Sequence, residues 1–178
     1  ELTEDEKPHV RELCLLSMKP VLYAANTNDM GTSDDNPLVQ RLAERAKLEN
    51  APYITLSGKV EMEIAELETR EERLEFLKDL GLQESGLDRL IRAAYDLLGL
   101  GTYFTAGVKE VHAWTFHRGW LAPQCAGVIH TDFEHGFIQA EVYNYKDLIE
   151  TGSESAVKSK GLFRLEGKTY VMQDGDIC

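Results

Sequence analysis

Short apolar runs alternate with helical patterns in the first part of the chain, and this alternation limits the folds that it can adopt. One apolar run covers residues 20–25 and a second covers residues 53–56. Short apolar runs that end at polar turn formers are typical of buried strands in a parallel sheet. Because a helical pattern follows each run, we predict an α/β unit over residues 1–100, a parallel sheet with helices.

The helices of this unit are predicted from their start and stop signals. Asn36 followed by Pro37 marks a helix start, because asparagine caps free backbone amides and proline suits the first helical position. The apolar spacing predicts one charged amphipathic helix over residues 61–80. Ser85 is predicted to cap a further helix, which ends at Gly99.

The pattern changes near residues 99–101, where we place a domain boundary. Residues 111–116 and 137–142 are rich in β-forming side chains and are predicted to be strands. Residues 162–172 carry two further apolar runs around Glu-Gly-Lys, which predicts a hairpin. Short helices are expected between these strands. We therefore predict a small α+β domain with a mixed sheet over residues 101–178.

Charge and composition narrow the classes of partner. The chain has 19 Lys and Arg against 31 Asp and Glu, a net charge of −12, which disfavours indiscriminate nucleic-acid binding and gives no reason to expect DNA specificity. No run of about 18 apolar residues occurs, so we expect no membrane partner. The three cysteines lack CxxC spacing, which argues against a metal site and favours a reducing compartment, the cytoplasm.

Polar side chains follow both predicted strands of the first unit, at residues 26–29 and 57–59. Ligands of open α/β sheets bind beyond the carboxyl ends of the strands. An asparagine side chain offers an acceptor and donors in one plane, which suits the edge of a purine, and a Ser-Gly step lets backbone amides approach a base. The predicted base-binding residues are Asn26, Thr27, Asp29, Ser57, Gly58 and Lys59. Asn and Asp after a strand are also common turn formers, and that interpretation stays open.

The sequence does not contain the residues that phosphate chemistry requires. No G-x-x-x-x-G-K-[ST] motif occurs, and Lys59 lacks both the upstream glycine and the following Ser or Thr. We therefore predict no catalytic residue in this chain and expect that it binds only the base end of a nucleotide. The isolated chain is expected to be inactive.

Several long blocks of the sequence carry a family resemblance. One is KPVLYAAN at residues 19–26, and a second is SGKVEMEIAEL at residues 57–67. The longest block covers residues 80–109, LGLQESGLDRLIRAAYDLLGLGTYFTAGVK, and further blocks lie at residues 110–115, 122–134 and 165–176. These blocks resemble the YchF-type Obg-like ATPases, of the TRAFAC class of P-loop GTPases, and the first resembles that family's base-recognition strand. The chain is identified as a member of this family, as a C-terminal fragment or a truncated product.

The resemblance implies an architecture and an activity. Residues 1–100 would be the base-recognition half of a P-loop NTPase G domain, without its phosphate loop. Residues 101–178 would be a TGS domain of β-grasp type that lacks its last strand. The whole protein would bind and hydrolyse ATP, with Mg²⁺ expected only where the missing N-terminal half is present. The ribosome, through its large subunit, or RNA would be the partner of the TGS domain.

The base motif departs from the family at one position and from guanine-specific GTPases at another. Asp29 replaces the usual Glu of Asn-x-x-Glu, and Thr27 stands where guanine-specific GTPases have Lys. We expect ATP, because the lysine is missing and the rest of the chain follows the ATPases, with GTP as the alternative. In the second domain, several positions that are commonly basic in the family are not basic here, and Lys109, Arg118 and the histidines are the candidates for RNA or ribosome contact. A binding module without catalysis and a nonfunctional fragment are the alternative hypotheses.

Overall fold

The chain divides into two units, Glu1–Leu97 and Leu98–Cys178. The computed structural model describes residues 3, 9–10, 12–28, 36–107 and 109–178.

The first unit is built on two parallel strands. β1 (Tyr23–Asn26) and β2 (Tyr53–Leu56) pair over their full length, and Asn26 lies opposite Leu56. The second strand is confirmed where the sequence predicts it, and the first lies a few residues later than its apolar run. Between them runs α1 (Pro37–Leu48), whose Asn36 cap accepts a hydrogen bond from the Leu38 backbone amide at 3.0 Å. The two strands and this helix bring the ends of β1 and β2 side by side.

The described residues of the first unit also form a short 3-10 helix, Leu16–Met18, and three further α-helices. The α-helices are α2 (Gly58–Glu66), α3 (Arg70–Asp79) and α4 (Gly86–Leu97). The single helix predicted over residues 61–80 is therefore wrong. Thr69 interrupts it, because its hydroxyl accepts from the Glu72 amide at 3.2 Å while the Glu72 carboxylate accepts from the Thr69 amide at 3.0 Å. This reciprocal capping box starts a new helix in the middle of a continuous amphipathic pattern.

A five-stranded mixed sheet forms the second unit. Its strands are β3 (Leu100–Ala106), β4 (Val111–His117), β5 (Gln139–Asn144), β6 (Arg164–Gly167) and β7 (Asp176–Ile177). Their order across the sheet is β4-β3-β7-β5-β6. Only β3 and β7 run parallel, and the other neighbours are antiparallel. The last strand of the chain therefore lies at the centre of the sheet.

Two apolar clusters and four short helices support this sheet. The helices are α5 (Ala122–Ile129), α6 (Thr131–His135), α7 (Tyr145–Thr151) and α8 (Glu154–Ser159). The buried members of the larger cluster are Tyr103, Phe116, Ala122, Cys125 and Met172, with Trp114 and Trp120 packed against them. Those of the smaller cluster are Tyr143, Val157 and Ile177. In the larger one, the Tyr103 hydroxyl donates to the Cys125 carbonyl at 2.7 Å, so the buried phenol has its partner.

Several details of the second unit differ from the sequence prediction. The hairpin predicted over residues 162–172 is wrong, because β6 pairs with β5 and Val171 makes only an isolated bridge with Leu121. Strand β3 has no counterpart among the predicted elements. Strand β7 consists of two residues, Asp176 and Ile177, and the absence of a complete last strand stays a prediction. These pairings join distant segments, and local sequence patterns carry little information about them.

Acidic side chains near the end of the chain fix β7 in place. Asp176 is 1% exposed, and one of its carboxylate oxygens accepts from the Tyr170 hydroxyl at 2.7 Å and from the Gln173 amide at 2.9 Å. The Arg164 guanidinium lies 3.5 Å from the other oxygen. Burial and the hydrogen bond to Asp176 raise the pKa of Tyr170 to about 12, so that hydroxyl remains a donor at neutral pH. The buried carboxylate thus connects β6, β7 and the preceding turn.

The turn itself depends on one glycine. Gly175 has φ of +84°, and a Cβ added there would lie 2.5 Å from the Tyr145 ring. Asp174 precedes it and accepts a hydrogen bond from the Thr102 amide at 2.7 Å. The Gln-Asp-Gly-Asp segment is therefore a structural motif that attaches the last strand to β3.

We predict that Asp176→Ala destabilises the second unit by about 2–4 kcal/mol, because it leaves the half-buried Tyr170 hydroxyl and the Gln173 amide without their acceptor and removes one of the acceptors of Arg164. The measurement is the free energy of unfolding from urea denaturation. Asp132→Ala is the matched control, since the Asp132 side chain is 84% exposed, and its effect should stay within about 0.5 kcal/mol. Equal stability of the two variants would contradict the role of Asp176 as a buried acceptor.

Candidate nucleotide-base site

The two polar loops predicted from the sequence meet at the carboxyl ends of β1 and β2. The Gly58 backbone amide donates to Oδ1 of Asn26 at 2.9 Å. The Thr27 backbone amide donates to the Leu56 carbonyl at 2.8 Å, and the Thr27 hydroxyl lies 3.4 Å from the same oxygen. These bonds continue the pairing of the strands beyond their ends. The structure therefore brings Asn26, Thr27 and Gly58 together.

The contact with Gly58 sets the orientation of the Asn26 carboxamide. Its Oδ1 is occupied by the Gly58 amide, whereas its Nδ2 has no partner among the residues that the structure describes. Asn26 is exposed to solvent. The side chain can therefore donate to a ligand while its oxygen remains bound to the second loop.

Ser57 is buried at the start of α2. It is 5% exposed, and its Oγ has no hydrogen-bond partner within the described part of the chain. Although Ser57 stands at the N-cap position, its side chain makes no cap hydrogen bond. Burial of a hydroxyl without a hydrogen-bond partner destabilises a protein by about 1–3 kcal/mol. The Ser57 hydroxyl is therefore available to bind a ligand.

Gly58 lies directly against Asn26, whereas the Lys59 side chain extends into solvent. A Cβ added to Gly58 would lie 3.4 Å from Oδ1 of Asn26, so any larger residue would pack directly on that amide. The Lys59 side chain is 77% exposed, and its ammonium group lies 3.9 Å from a carboxylate oxygen of Glu63. An exposed pair of this kind holds the side chain weakly. The structure thus places Lys59 beside the site, without a contact to Asn26.

Asp29, the other predicted base-binding residue, lies outside the described residues. Its place relative to Asn26 stays a prediction.

Sequence reasoning missed two contacts that support the segment carrying Ser57 and Gly58. The Gly86 amide donates to the Glu61 carboxylate at 2.7 Å, and the Arg89 guanidinium donates to the Thr55 carbonyl at 3.0 Å. Both contacts join α4 to the segment that carries Ser57 and Gly58. They arise from tertiary packing, and the only local signal was a glycine directly after the Ser85 cap.

Lys109 and Arg118, the candidates for RNA contact, lie at opposite ends of β4. Both are exposed, and the Arg118 amide donates to the Gly99 carbonyl at 2.7 Å. A strand of seven residues spans roughly 20 Å, so the structure does not bring these two side chains together. Two histidine–tryptophan ring pairs lie along this strand and the turn that follows it. The ring centroids of His112 and Trp114 are 4.1 Å apart, and those of His117 and Trp120 are 5.1 Å apart.

Metal ligands and membrane spans are absent from the residues that the structure describes. Among them, no group of His, Cys, Asp and Glu could hold a metal ion. No helix in the described part is long and apolar enough to cross a membrane. An apolar cavity of about 450 Å³ lies in the second unit between α5, α6 and the start of β5, and none of the predicted site residues line it.

Comparison with known proteins finds relatives of this chain. The family model YchF-GTPase_C, described as a protein of unknown function (DUF933), matches residues 100–178. The chain is 52% identical over 179 residues to the ribosome-binding ATPase YchF of Bacillus subtilis, covering 99% of this chain and 49% of that relative. Residues 100–178 thus match the YchF C-terminal family, and the similarity to YchF proteins extends over 99% of this chain. This finding confirms the family predicted from the sequence.

Further relatives agree with this assignment. The ribosome-binding ATPase YchF of Haemophilus influenzae is 50% identical over 176 residues, with 99% of this chain and 48% of the relative covered. The solved structure of the Schizosaccharomyces pombe YchF GTPase matches with a TM-score of 0.79 at 35% identity, over 99% of this chain and 47% of that one. The chain therefore spans about half the length of the YchF proteins that it matches.

We predict that Asn26→Asp separates the two roles of the Asn26 side chain. A carboxylate can still accept from the Gly58 amide, so the free energy of unfolding should change by less than about 1 kcal/mol. The substitution removes the Nδ2 donor, and affinity for a purine nucleoside should fall at least about tenfold. Adenosine titration followed by amide chemical shifts measures the second effect, and urea denaturation measures the first. Unchanged adenosine affinity would rule out Asn26 as a base ligand.

Proposed function

We propose that this chain is the base-recognition part of a ribosome-associated protein that binds and hydrolyses ATP. The observation that carries the proposal is the Asn26 amide, held by Gly58 at the ends of two parallel strands with its Nδ2 unpartnered among the described residues. The carboxyl ends of parallel strands are where α/β proteins bind nucleotides. The curated relatives are named ribosome-binding ATPases, which supports both the nucleotide and the ribosome.

Adenine is the base that we favour. Thr27 takes the place of the lysine of guanine-specific GTPases, and its amide and hydroxyl both lie against the Leu56 carbonyl. The names of the relatives differ on this point, since the bacterial proteins are called ATPases and the solved structure is called a GTPase. GTP therefore remains the alternative ligand, and Asp29 is the residue whose chemistry favours it.

In this proposal the chain recognises the base and performs no step of hydrolysis. Asn26 donates to a ring acceptor, and the Ser57 hydroxyl supplies a second polar contact. The chain has no phosphate loop, and the residues described include no acidic cluster that fits Mg²⁺. Residues outside this chain would therefore bind the phosphates and the metal ion.

We propose that the second unit is a TGS domain. Its parallel pair β3–β7 at the centre, with β4 outside β3 and with β5 and β6 outside β7, is the strand arrangement expected of a β-grasp domain. Such a domain would carry the contact with the large ribosomal subunit or with RNA, and the protein would act in the cytoplasm.

A second candidate function is a binding module without catalysis. The family model covers residues 100–178 alone, and this segment corresponds closely to a unit with two apolar clusters of its own. Exposed Lys109 supports a contact with a polyanion in this unit, together with Arg118 at the other end of β4. In this alternative the first unit serves only as a carrier.

Nucleotide competition tests the first proposal. We expect adenosine to displace a fluorescent adenine nucleoside from the chain more effectively than guanosine, because Thr27 replaces the lysine that guanine sites use. We also expect no detectable release of phosphate from ATP, since the phosphate-binding residues are absent. Stronger competition by guanosine would reverse the assignment of the base, and turnover by the isolated chain would contradict the assignment of roles.

Co-sedimentation with ribosomes tests the second unit. If Lys109 and Arg118 contact phosphates, the affinity for ribosomes should fall steeply as the salt concentration rises. The double substitution Lys109→Ala with Arg118→Ala should then reduce the slope of log affinity against log salt by about 1 for each contact removed. Lys168→Ala, at another exposed position of the same unit, is the matched control. An affinity for ribosomes that changes neither with salt nor with the double substitution would count against a phosphate contact at β4.

A further inference from the structure

The start of α4 lies directly on the last residue of β2. Gly86 is the first residue of α4, and a Cβ added there would be 2.7 Å from the Leu56 Cβ and 3.4 Å from the Leu56 Cα. The first distance is shorter than real carbon contacts, and neither atom belongs to a flexible side-chain end. Only glycine therefore allows the helix to approach the strand this closely.

One carboxylate fixes the start of two helices. Glu61 lies in the first turn of α2, and its Oε1 accepts from the Gly86 backbone amide at 2.7 Å. The Gly86 amide is one of the free donors at the start of α4, and negative charge is favourable near the amino end of a helix. Glu61 therefore accepts the hydrogen bond of an otherwise unpaired amide of α4. It also places its negative charge in the first turn of its own helix, where such a charge is stabilising.

A second contact joins the same elements. The Arg89 guanidinium, one turn into α4, donates to the Thr55 carbonyl at 3.0 Å. Ser85 is 7% exposed and caps α4 by accepting from the Asp88 amide at 3.0 Å. The start of α4 is thus attached to the last two residues of β2 by a steric contact at Gly86 and a hydrogen bond at Arg89.

The same residues of β2 carry the candidate base site. The Leu56 carbonyl accepts from the Thr27 amide, and two residues later the Gly58 amide binds Asn26. A shift of α4 away from Leu56 would move the Gly58 amide relative to Asn26. The orientation of the Asn26 amide would change with it.

We propose that Glu61 and Gly86 are positioning residues of the base site, which set its affinity by holding the Ser57-Gly58 turn against Asn26. The inference rests on the proposed base-binding function. A preformed site binds more tightly than one that must order its donors when the ligand arrives, and displacements of about 1 Å at such sites have large effects. Neither residue contacts the base in this proposal, and both act through Gly58.

The experiment titrates adenosine into the wild-type chain and its variants, with the Kd and the Gly58 amide shift read from nuclear magnetic resonance spectra of the folded protein. Glu61→Ala should raise the Kd about five- to tenfold, because the Gly86 amide loses its acceptor. Glu61→Gln keeps an acceptor oxygen and should stay within about twofold of wild type. Gly86→Ala should raise the Kd at least about tenfold.

Two variants serve as matched controls. Glu66→Ala removes the same charge from the exposed last residue of α2, and Gly167→Ala adds a methyl group where nothing lies within 4 Å. Both should leave the Kd and the Gly58 shift unchanged.

The outcomes separate the inference from the function on which it rests. Absence of adenosine binding by the wild-type chain would overturn the proposed function and this inference together. Binding by wild type and equally by Glu61→Ala would overturn the inference alone. A purely structural role predicts lower melting temperatures with an unchanged Kd and Gly58 shift in the folded protein, and that result would also overturn it. If Gly86→Ala does not fold, the comparison of Glu61→Ala with Glu61→Gln still decides.

Discussion

The hydrogen bond from the Gly58 amide to the Asn26 side chain joins the two loops of the candidate site. It uses a side-chain oxygen at the end of one strand and a backbone amide just after the next strand. The register of the parallel pair makes it available, because Asn26 lies opposite Leu56. The orientation of the Nδ2 donor of Asn26 follows from this bond.

The contacts made by the last residues of β2 explain why this hydrogen bond is well placed. The steric contact of Gly86 with Leu56, the carboxylate of Glu61 and the guanidinium of Arg89 all act on the last residues of β2. A flexible loop could offer the same side chains, but the cost of ordering them would lower its affinity. In this unit the order is supplied by helix packing, which is present before any ligand binds.

The sequence predicted those parts of the structure that depend on local signals. Asn36 and Pro37 marked the start of a helix correctly, and the apolar run at residues 53–56 is a strand. Local signals also failed where two of them compete, since the capping box at Thr69 divides a helix that apolar spacing predicts to be continuous. The central strand β7 and the contact between Glu61 and Gly86 could not be predicted, because both depend on segments that meet only after folding.

Both tryptophans of the chain, Trp114 and Trp120, pack against the larger apolar cluster of the second unit. Intrinsic tryptophan fluorescence is therefore an optical signal of that unit alone. The longer helices, α1 and α4, belong to the first unit. The helical signal in far-ultraviolet circular dichroism therefore reports mainly on the first unit. Superposition of the two denaturation curves would mean that both halves unfold as one cooperative system, and separate curves would mean that each has its own stability.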